Sequence, residues 1–154
     1  MDRKDLEHWM SMALEEAEAA AAEGEVPVGA VIVLEGRLLA RERNRSIQLS
    51  DPTAHAEILA LRAGAKRISN YRLEGAEVYS TIEPCPMCAG ALIWARAARL
   101  VFGARDEKGG GVVSKFQILE PGKLNHRVEV IEGVGAERAR EMLQSFFRKR
   151  RQAE

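Results

Sequence analysis

The chain has 154 residues, of which 46% are hydrophobic and 30% are charged, and its 23 basic and 23 acidic residues give a formal net charge of zero. This composition is typical of a soluble globular protein and excludes a disordered, collagen-like or fibrous chain. The zero net charge excludes a general attraction to polyanions, so any contact with nucleic acid has to come from a local basic patch.

The length of the chain predicts one compact domain over residues 1–154. Its longest apolar stretches, residues 26–34 and 84–95, are shorter than the roughly 18 residues that a membrane helix needs, so no membrane span is predicted. The first seven residues mix acidic and basic side chains and lack the apolar centre of a secretory signal. This predicts a cytoplasmic protein.

The first predicted elements are a helix and a β-hairpin. Residues 28–34 are rich in β-branched side chains and predict a strand, and Glu35 and Gly36 supply a turn into a second strand that reaches about Asn44. The helix precedes them and is expected to end at Gly24. Its apolar residues recur at helical spacing along one stripe; they are Leu6, Trp9, Met10, Ala13, Leu14 and Ala17.

A second helix and a third strand follow the hairpin. Asp51 is suited to cap a helix that has Pro52 in its first turn, and this helix is predicted to extend to Gly64. Residues 76–82 predict the strand.

The third predicted helix begins with Pro86 at its first position and continues through Trp94. It is apolar on nearly every side, which is typical of a helix in the interior or in an interface. We expect Trp94 to belong to the core and Met87 to pack beneath two neighbouring cysteines.

Two strands and a helix complete the chain. Residues 100–103 and the alternating residues 127–130 predict the strands, and an apolar stripe over residues 139–147 predicts the helix. Residues 109–111, three glycines, predict a flexible loop between the strands. The order of elements after the hairpin favours an α/β fold with a mixed sheet and helices on both faces.

Three side chains with metal-binding chemistry lie near two predicted helix starts. His55, Cys85 and Cys88 provide one imidazole and two thiolates, a ligand set typical of zinc and unlike that of magnesium or calcium. Three protein ligands leave a fourth tetrahedral position for water, whose pKa bound zinc lowers to about 7. The two cysteines by themselves also fit a redox pair, and the presence of His55 favours zinc.

Glu57 is the candidate proton carrier of this group, because a carboxyl group beside an activated water can move its proton to a substrate nitrogen. Residues two apart on a helix point in nearly opposite directions, so His55 and Glu57 share a site only if they lie at the mouth of the helix. His8 and His126 are the other histidines, and for both a surface or packing role is favoured over that of a fourth ligand.

The H-x-E sequence of residues 55–57 and the P-C-x-x-C sequence of residues 84–88 resemble the signature of the cytidine deaminase superfamily. Within that superfamily the chain closely resembles the bacterial tRNA-specific adenosine deaminases. The segments that carry this resemblance are residues 25–30, Asn44, and residues 51–57, 70–73, 83–91, 102–106, 124–128 and 146–148.

The resemblance implies a fold, a cofactor and a reaction. The fold is a three-layer α/β/α cytidine-deaminase-like fold with a mixed five-stranded sheet and helices on both faces. One zinc ion per subunit is expected on His55, Cys85 and Cys88. Hydroxide is expected to attack C6 of adenine while Glu57 shuttles protons. The reaction converts adenosine 34 of tRNA, at the wobble position, to inosine.

The resemblance also implies contacts to a tRNA anticodon stem-loop and assembly as a homodimer. Asn44 is expected to contact the flipped-out nucleoside, and Asp106 and Lys108 are expected to contact neighbouring nucleotides. Residues 148–151 form the one compact basic cluster of the chain, which suits either phosphate binding or a solvated helix end. With the resemblance, Arg148 and Arg150 are predicted to contact RNA.

Two other functions are open from the sequence. Residues 93–96, Ile-Trp-Ala-Arg, are similar to the bacterial guanine deaminases of the same superfamily, so deamination of free guanine is the alternative reaction. A non-catalytic RNA-binding module with a structural zinc is the alternative outside enzymes. Residues 109–114 differ from the small-residue loop common among the tRNA enzymes, a difference that bears on the RNA groove.

Overall fold

A computed structural model describes residues 2–153, which fold into five strands and four helices. The helices are α1 (Arg3–Ala22), α2 (Ala56–Ile68), α3 (Pro86–Trp94) and α4 (Ala136–Ala153), and the strands are β1 (Gly29–Leu34), β2 (Arg37–Arg43), β3 (Glu77–Ile82), β4 (Arg99–Ala104) and β5 (Glu129–Glu132). None of these helices is both long enough and apolar enough to cross a lipid bilayer.

The strands form one mixed sheet in the order β2-β1-β3-β4-β5. Strand β1 is antiparallel to both β2 and β3, whereas β3, β4 and β5 run parallel to one another. The β1–β2 turn has Glu35 and Gly36 at φ values of 52° and 73°, the left-handed conformation that suits the twist of a two-residue hairpin. The predictions of a hairpin and of a mixed five-stranded sheet are confirmed.

The sheet is covered on both faces because its strands alternate apolar side chains between two cores. Ile32, Val78 and Leu100 point to the face that α2 and α3 cover, and the alternate residues Val31 and Tyr79 point to the face covered by α1. Helix α4 adds to the second face through Ala139, which packs with residues of β3 and β4. The three-layer α/β/α architecture predicted from the sequence is confirmed.

Helix α1 lies very close to the sheet because small residues face each other. Ala13 and Ala17 of α1 are completely buried, and they pack against the start of β1 at Gly29. A Cβ atom on Gly29 would lie 1.9 Å from the carbonyl oxygen of Ala13. Only glycine therefore permits this distance between helix and strand.

The predicted end of α2 and the predicted positions of Trp94 and Met87 are wrong. Helix α2 continues past Gly64 to Ile68 and ends where Ser69, its C-cap, takes the left-handed conformation with φ of 53°. Gly64 lies inside the helix, where a Cβ atom would lie 3.2 Å from the Leu39 side chain. Trp94 is not in the core; it is 80% exposed, and Met87 is 38% exposed. Both apolar side chains lie on α3, which therefore presents an apolar surface outward.

Candidate active site

The two segments that carry the candidate ligands meet at one edge of the sheet. Strands β2 and β3 are both antiparallel to the β1 strand between them, so both end at the same edge. The chain leaves β3 toward Cys85, which is the N-cap of α3, and His55 is the N-cap of α2. The N-termini of two helices therefore converge where β3 ends.

His55, Cys85 and Cys88 form a compact group of potential metal ligands. The Nδ1 atom of His55 lies 3.6 Å from the Sγ atom of each cysteine, and the three ligand atoms are all within 4.8 Å of one another. Across residues 2–153, this is the one group of three or more such side chains close enough to hold a metal ion. Neither His8 nor His126 belongs to it.

The spacing of these atoms fits zinc. Zn–S bonds of about 2.3 Å and Zn–N bonds of about 2.0 Å at tetrahedral angles place nitrogen and sulfur roughly 3.6 Å apart. The distances from Nδ1 to the two sulfurs match this value. One imidazole and two thiolates are also ligands that zinc prefers and that magnesium and calcium do not. The group can therefore hold a metal ion of the zinc type.

The two thiols share a hydrogen bond that favours the thiolate of Cys85 and holds the proton on Cys88. A hydrogen bond from the Cys88 thiol lowers the pKa of Cys85 to about 4, and the same hydrogen bond together with burial raises the pKa of Cys88. The hydrogen bond with Cys85 also raises the pKa of His55. Since both cysteines lie in the first turn of α3, the positive end of the helix favours their thiolates.

Glu57 is a buried carboxyl group next to this ligand group. It is the second residue of α2 and is only 4% exposed. Burial raises the pKa of Glu57 to about 7, although the nearby His55 acts in the opposite direction. A carboxyl group with this pKa can both accept and release a proton near neutral pH, as a general acid–base group requires.

Helix α2 begins at Ala56, so the prediction that Asp51 and Pro52 open it is wrong. The Asp51 carboxylate instead accepts hydrogen bonds from the backbone N–H and the hydroxyl of Thr53 and closes a local turn. The later start puts His55 and Glu57 at the mouth of the helix, which is the condition under which residues two apart can share a site.

Asn44 supplies the hydrogen bond that starts this helix. Its Oδ1 atom accepts the N–H of Ala56 at 2.8 Å, whereas the N-cap residue His55 makes no capping bond with its own side chain. Asn44 therefore caps α2 although it lies 12 residues before Ala56 in the sequence. No acceptor among the described residues takes a hydrogen bond from its Nδ2 atom.

The other predicted contact residues lie on the surface. Asp106 accepts the backbone N–H groups of Lys108 and Gly109 through Oδ1 and so shapes its own loop, and Lys108 is exposed. Arg148 and Arg150 are exposed on the last turns of α4, where the Arg150 guanidinium lies 5.1 Å from the centre of the Phe146 ring.

Two buried glutamates beside the site were not singled out from the sequence. Glu25 accepts the backbone N–H groups of Ile47 and Gln48, in the loop that follows β2. Glu83, just before the cysteine segment, accepts hydrogen bonds from the loop after β4. The one signal for Glu83 is a charged residue directly after a buried strand, where an unpartnered carboxylate would be costly.

The loop that contains the three glycines is held in place, so the prediction of a flexible loop is wrong. Gly110 and Gly111 are buried, and the N–H of Gly111 donates to the carbonyl of Pro84 at 2.8 Å. A Cβ atom on Gly111 would lie 2.6 Å from the nitrogen of Pro86. The glycines permit close backbone contact with the cysteine segment rather than mobility.

Comparison with known proteins gives consistent similarities over nearly the whole chain. A family described as MafB19-like deaminase matches residues 4–151. The tRNA-specific adenosine deaminase of Haemophilus influenzae is 53% identical over 95% of this chain and 85% of its own length. A structure solved in a study of A-to-I editing by tRNA:A34 deaminases is 44% identical, covers 88% of this chain and 99% of that one, and has a TM-score of 0.86.

A guanine deaminase structure is also similar, at lower identity. The enzyme from Nitrosomonas europaea is 26% identical, with 91% of this chain and 83% of that chain covered and a TM-score of 0.79.

Replacing His55 is expected to abolish metal binding. The His55→Ala protein loses one of three ligands, so its metal content after dialysis should fall at least about tenfold. His8→Ala is the matched control, because it removes an exposed imidazole from α1. Elemental analysis measures both. Equal metal in the two variants would contradict the assignment of His55 as a ligand.

Proposed function

The chain belongs to the MafB19-like deaminases and to the family of the tRNA-specific adenosine deaminases, and we propose that it hydrolyses adenosine 34 of tRNA to inosine. The similarity to enzymes of that name extends over nearly the full chain, and it supports tRNA as the substrate. The buried Glu57 beside a three-ligand group is what suits the site to hydrolytic deamination. The whole chain, residues 1–154, then acts as one deaminase domain.

The cofactor in this proposal is one zinc ion per subunit. His55 Nδ1, Cys85 Sγ and Cys88 Sγ would hold it, as their spacing supports. When bound, zinc activates a water molecule as a nucleophile at neutral pH.

Glu57 carries the protons of the reaction. Its carboxylate takes a proton from the nucleophilic water and transfers it to N1 of the purine as oxygen adds to C6. It then takes the remaining proton of the oxygen that has added to C6 and delivers it to the amino group, so that the bond between C6 and that nitrogen breaks, ammonia leaves and C6 becomes the carbonyl carbon of inosine. The pKa of about 7 supports both directions of transfer.

Contacts to the RNA come from three places in this proposal. The free Nδ2 donors of Asn44 contact the target nucleoside, because the Oδ1 atom of the same amide already accepts the N–H of Ala56. Asp106 and Lys108 contact neighbouring nucleotides of the anticodon stem-loop. Arg148 and Arg150 contact phosphates.

The position of the basic end of α4 supports its part in RNA binding. Gly29, the first residue of β1, lies at the edge of the sheet where β3 ends, because β1 and β3 are antiparallel. Gly24 precedes it closely in the chain and lines one surface cavity together with Lys149 and Arg150. The last turns of α4 therefore lie toward the edge that holds the ligand group.

We also propose a homodimer formed through α3. No residue of this helix is charged, Met87 and Trp94 are exposed, and a Cβ atom on Gly90 would meet no other atom within 4 Å. An apolar helix face of this kind suits contact with a second copy. The tRNA substrate makes the cytoplasm the proposed location.

An assay with two substrates tests the reaction. We expect the zinc-loaded protein to form inosine in an anticodon stem-loop that carries adenosine 34 and to leave free guanine unchanged. Glu57→Gln should retain zinc and the fold but lose turnover by at least about a hundredfold, because the proton carrier is gone.

Rapid deamination of guanine with an untouched stem-loop would favour the guanine deaminase instead. Inosine formation by Glu57→Gln at the rate of the unchanged protein would remove Glu57 from the mechanism. Binding of the stem-loop without any turnover would favour the non-catalytic RNA-binding module.

Neutralising the basic end of α4 should weaken RNA binding and flatten its dependence on salt. For Arg148→Gln with Arg150→Gln, the slope of log K against log salt should fall by about 0.7–0.9 for each lost phosphate contact. The control is Arg37→Gln with Lys66→Gln, which removes two exposed cations at the opposite edge of the sheet. Equal slopes for the two double variants would assign residues 148–151 to a solvated helix end.

A charge on α3 should separate the dimer. Trp94→Glu introduces a carboxylate on the apolar face, where burial in an interface would be costly, so light scattering should give the mass of a monomer. Tyr71→Glu is the control, because Tyr71 is 75% exposed but lies outside α3. A dimer that persists in Trp94→Glu would exclude this face.

A further inference from the structure

Glu83 is a buried carboxylate whose hydrogen bonds all come from one loop. It is 2% exposed and lies between the end of β3 and the N-cap residue Cys85. Its Oε1 atom accepts the N–H of Asp106 at 3.0 Å and the hydroxyl of Ser114. Both donors belong to the segment after β4, residues 106–114, which we name the 106–114 loop.

The other oxygen of Glu83 binds the far end of the same loop. Its Oε2 atom accepts three consecutive backbone N–H groups, from Val112 at 3.1 Å, Val113 at 2.8 Å and Ser114 at 2.9 Å. A carboxylate has about four lone-pair sites, so five donors saturate it. Burial by itself would raise the pKa of Glu83, yet the hydrogen bonds from Ser114, Val113 and Asp106 hold it below the usual value.

The packing around this carboxylate leaves no room for a side chain at Gly110. A Cβ atom on Gly110 would lie 2.2 Å from Oε2 and 2.5 Å from Oε1 of Glu83. At the neighbouring Gly109, by contrast, the nearest atom to a Cβ would be Oδ2 of Asp106, at 3.3 Å. Glu83 therefore contacts the loop at both ends and at its centre.

The loop held in this way carries two of the residues proposed to contact RNA. Asp106 donates its own N–H to Glu83, and its Oδ1 atom orders the backbone at Lys108 and Gly109. The hydrogen bonds of Glu83 and Asp106 thus order the backbone of the loop. This backbone determines where the side chains of Asp106 and Lys108 project. A loop ordered before binding loses less conformational entropy when its ligand arrives.

We propose that Glu83 is a positioning residue for the RNA substrate, which it does not touch: it holds the 106–114 loop in the conformation that presents Asp106 and Lys108. This inference rests on the proposed function, since it names how the same site recognises its substrate. It assigns Glu83 an effect on substrate binding and none on the chemical step, because all hydrogen-bond partners of its carboxylate lie in the loop.

Two variants disturb this contact from opposite sides, and a third is the matched control. Glu83→Gln replaces one acceptor oxygen with an amide that faces N–H donors, and Gly110→Ala leaves Glu83 unchanged but presses a methyl group against its carboxylate. Gly109→Ala is the same substitution one residue earlier, out of reach of Glu83. Ser114→Ala is a milder variant that removes one of the donors and leaves the backbone contacts.

The experiment measures kcat and KM for an anticodon stem-loop, the zinc content, and the hydrogen exchange of the amides of residues 112–114. Glu83→Gln and Gly110→Ala are expected to raise KM about tenfold or more, with kcat within about threefold and zinc retained. The same two variants should lose amide protection in the loop. Ser114→Ala should raise KM about two- to threefold. Gly109→Ala, whose methyl group lies near Asp106 and away from Glu83, should keep the amide protection of residues 112–114 and raise KM less than Gly110→Ala does.

The outcomes separate this inference from the proposed function. If the unchanged protein forms inosine and Glu83→Gln and Gly110→Ala keep its KM, the positioning role is overturned. A loss of zinc or of kcat with KM unchanged overturns it as well, because Glu83 would then act on the ligand group. If the unchanged protein forms no inosine, the proposed function fails, and the positioning role fails with it.

Discussion

The hydrogen bond from the Ala56 N–H to Asn44 Oδ1 determines where helix α2 begins, and the candidate site depends on that position. Each residue of an α-helix turns by about 100°, so His55 and Glu57 within a regular helix would point about 200° apart. Because the cap holds the first helical residue at Ala56, His55 keeps an extended backbone as the N-cap. The imidazole and the carboxyl group can then serve one site.

The direction of the strands explains why two such helix ends meet. Strands β2 and β3 run the same way with β1 between them, so the chain leaves both at one edge of the sheet and enters α2 and α3 there. The positive ends of both helices then face the same small volume, which favours thiolate at the cysteines. Burial at this position has the opposite effect on Glu57 and keeps its carboxyl group able to hold a proton.

Two buried glutamates order the loops on either side of the ligand group. Glu25 binds the backbone of Ile47 and Gln48 after β2, and Glu83 binds the 106–114 loop after β4. Both carboxylates accept backbone N–H groups that would otherwise be unpaired near the interior. A rigid scaffold fixes the positions of the loops attached to it, and here that scaffold is the sheet edge on which both glutamates lie.

The sequence by itself determined most of the secondary structure, the mixed sheet and the three candidate metal ligands, because each leaves a pattern in the sequence. The central strands are apolar or β-branched runs, α1 and α4 have an apolar stripe, and His55, Cys85 and Cys88 are chemically distinctive. Only the tertiary structure decided the start of α2, the ordering of the 106–114 loop and the exposure of Trp94. Their partners are distant in sequence: Asn44 caps Ala56 from 12 residues away, and Glu83 lies about 30 residues before Ser114. A local pattern predicts a turn at Asp51 or mobility at three glycines, and it cannot register a hydrogen bond that exists only after the chain has folded.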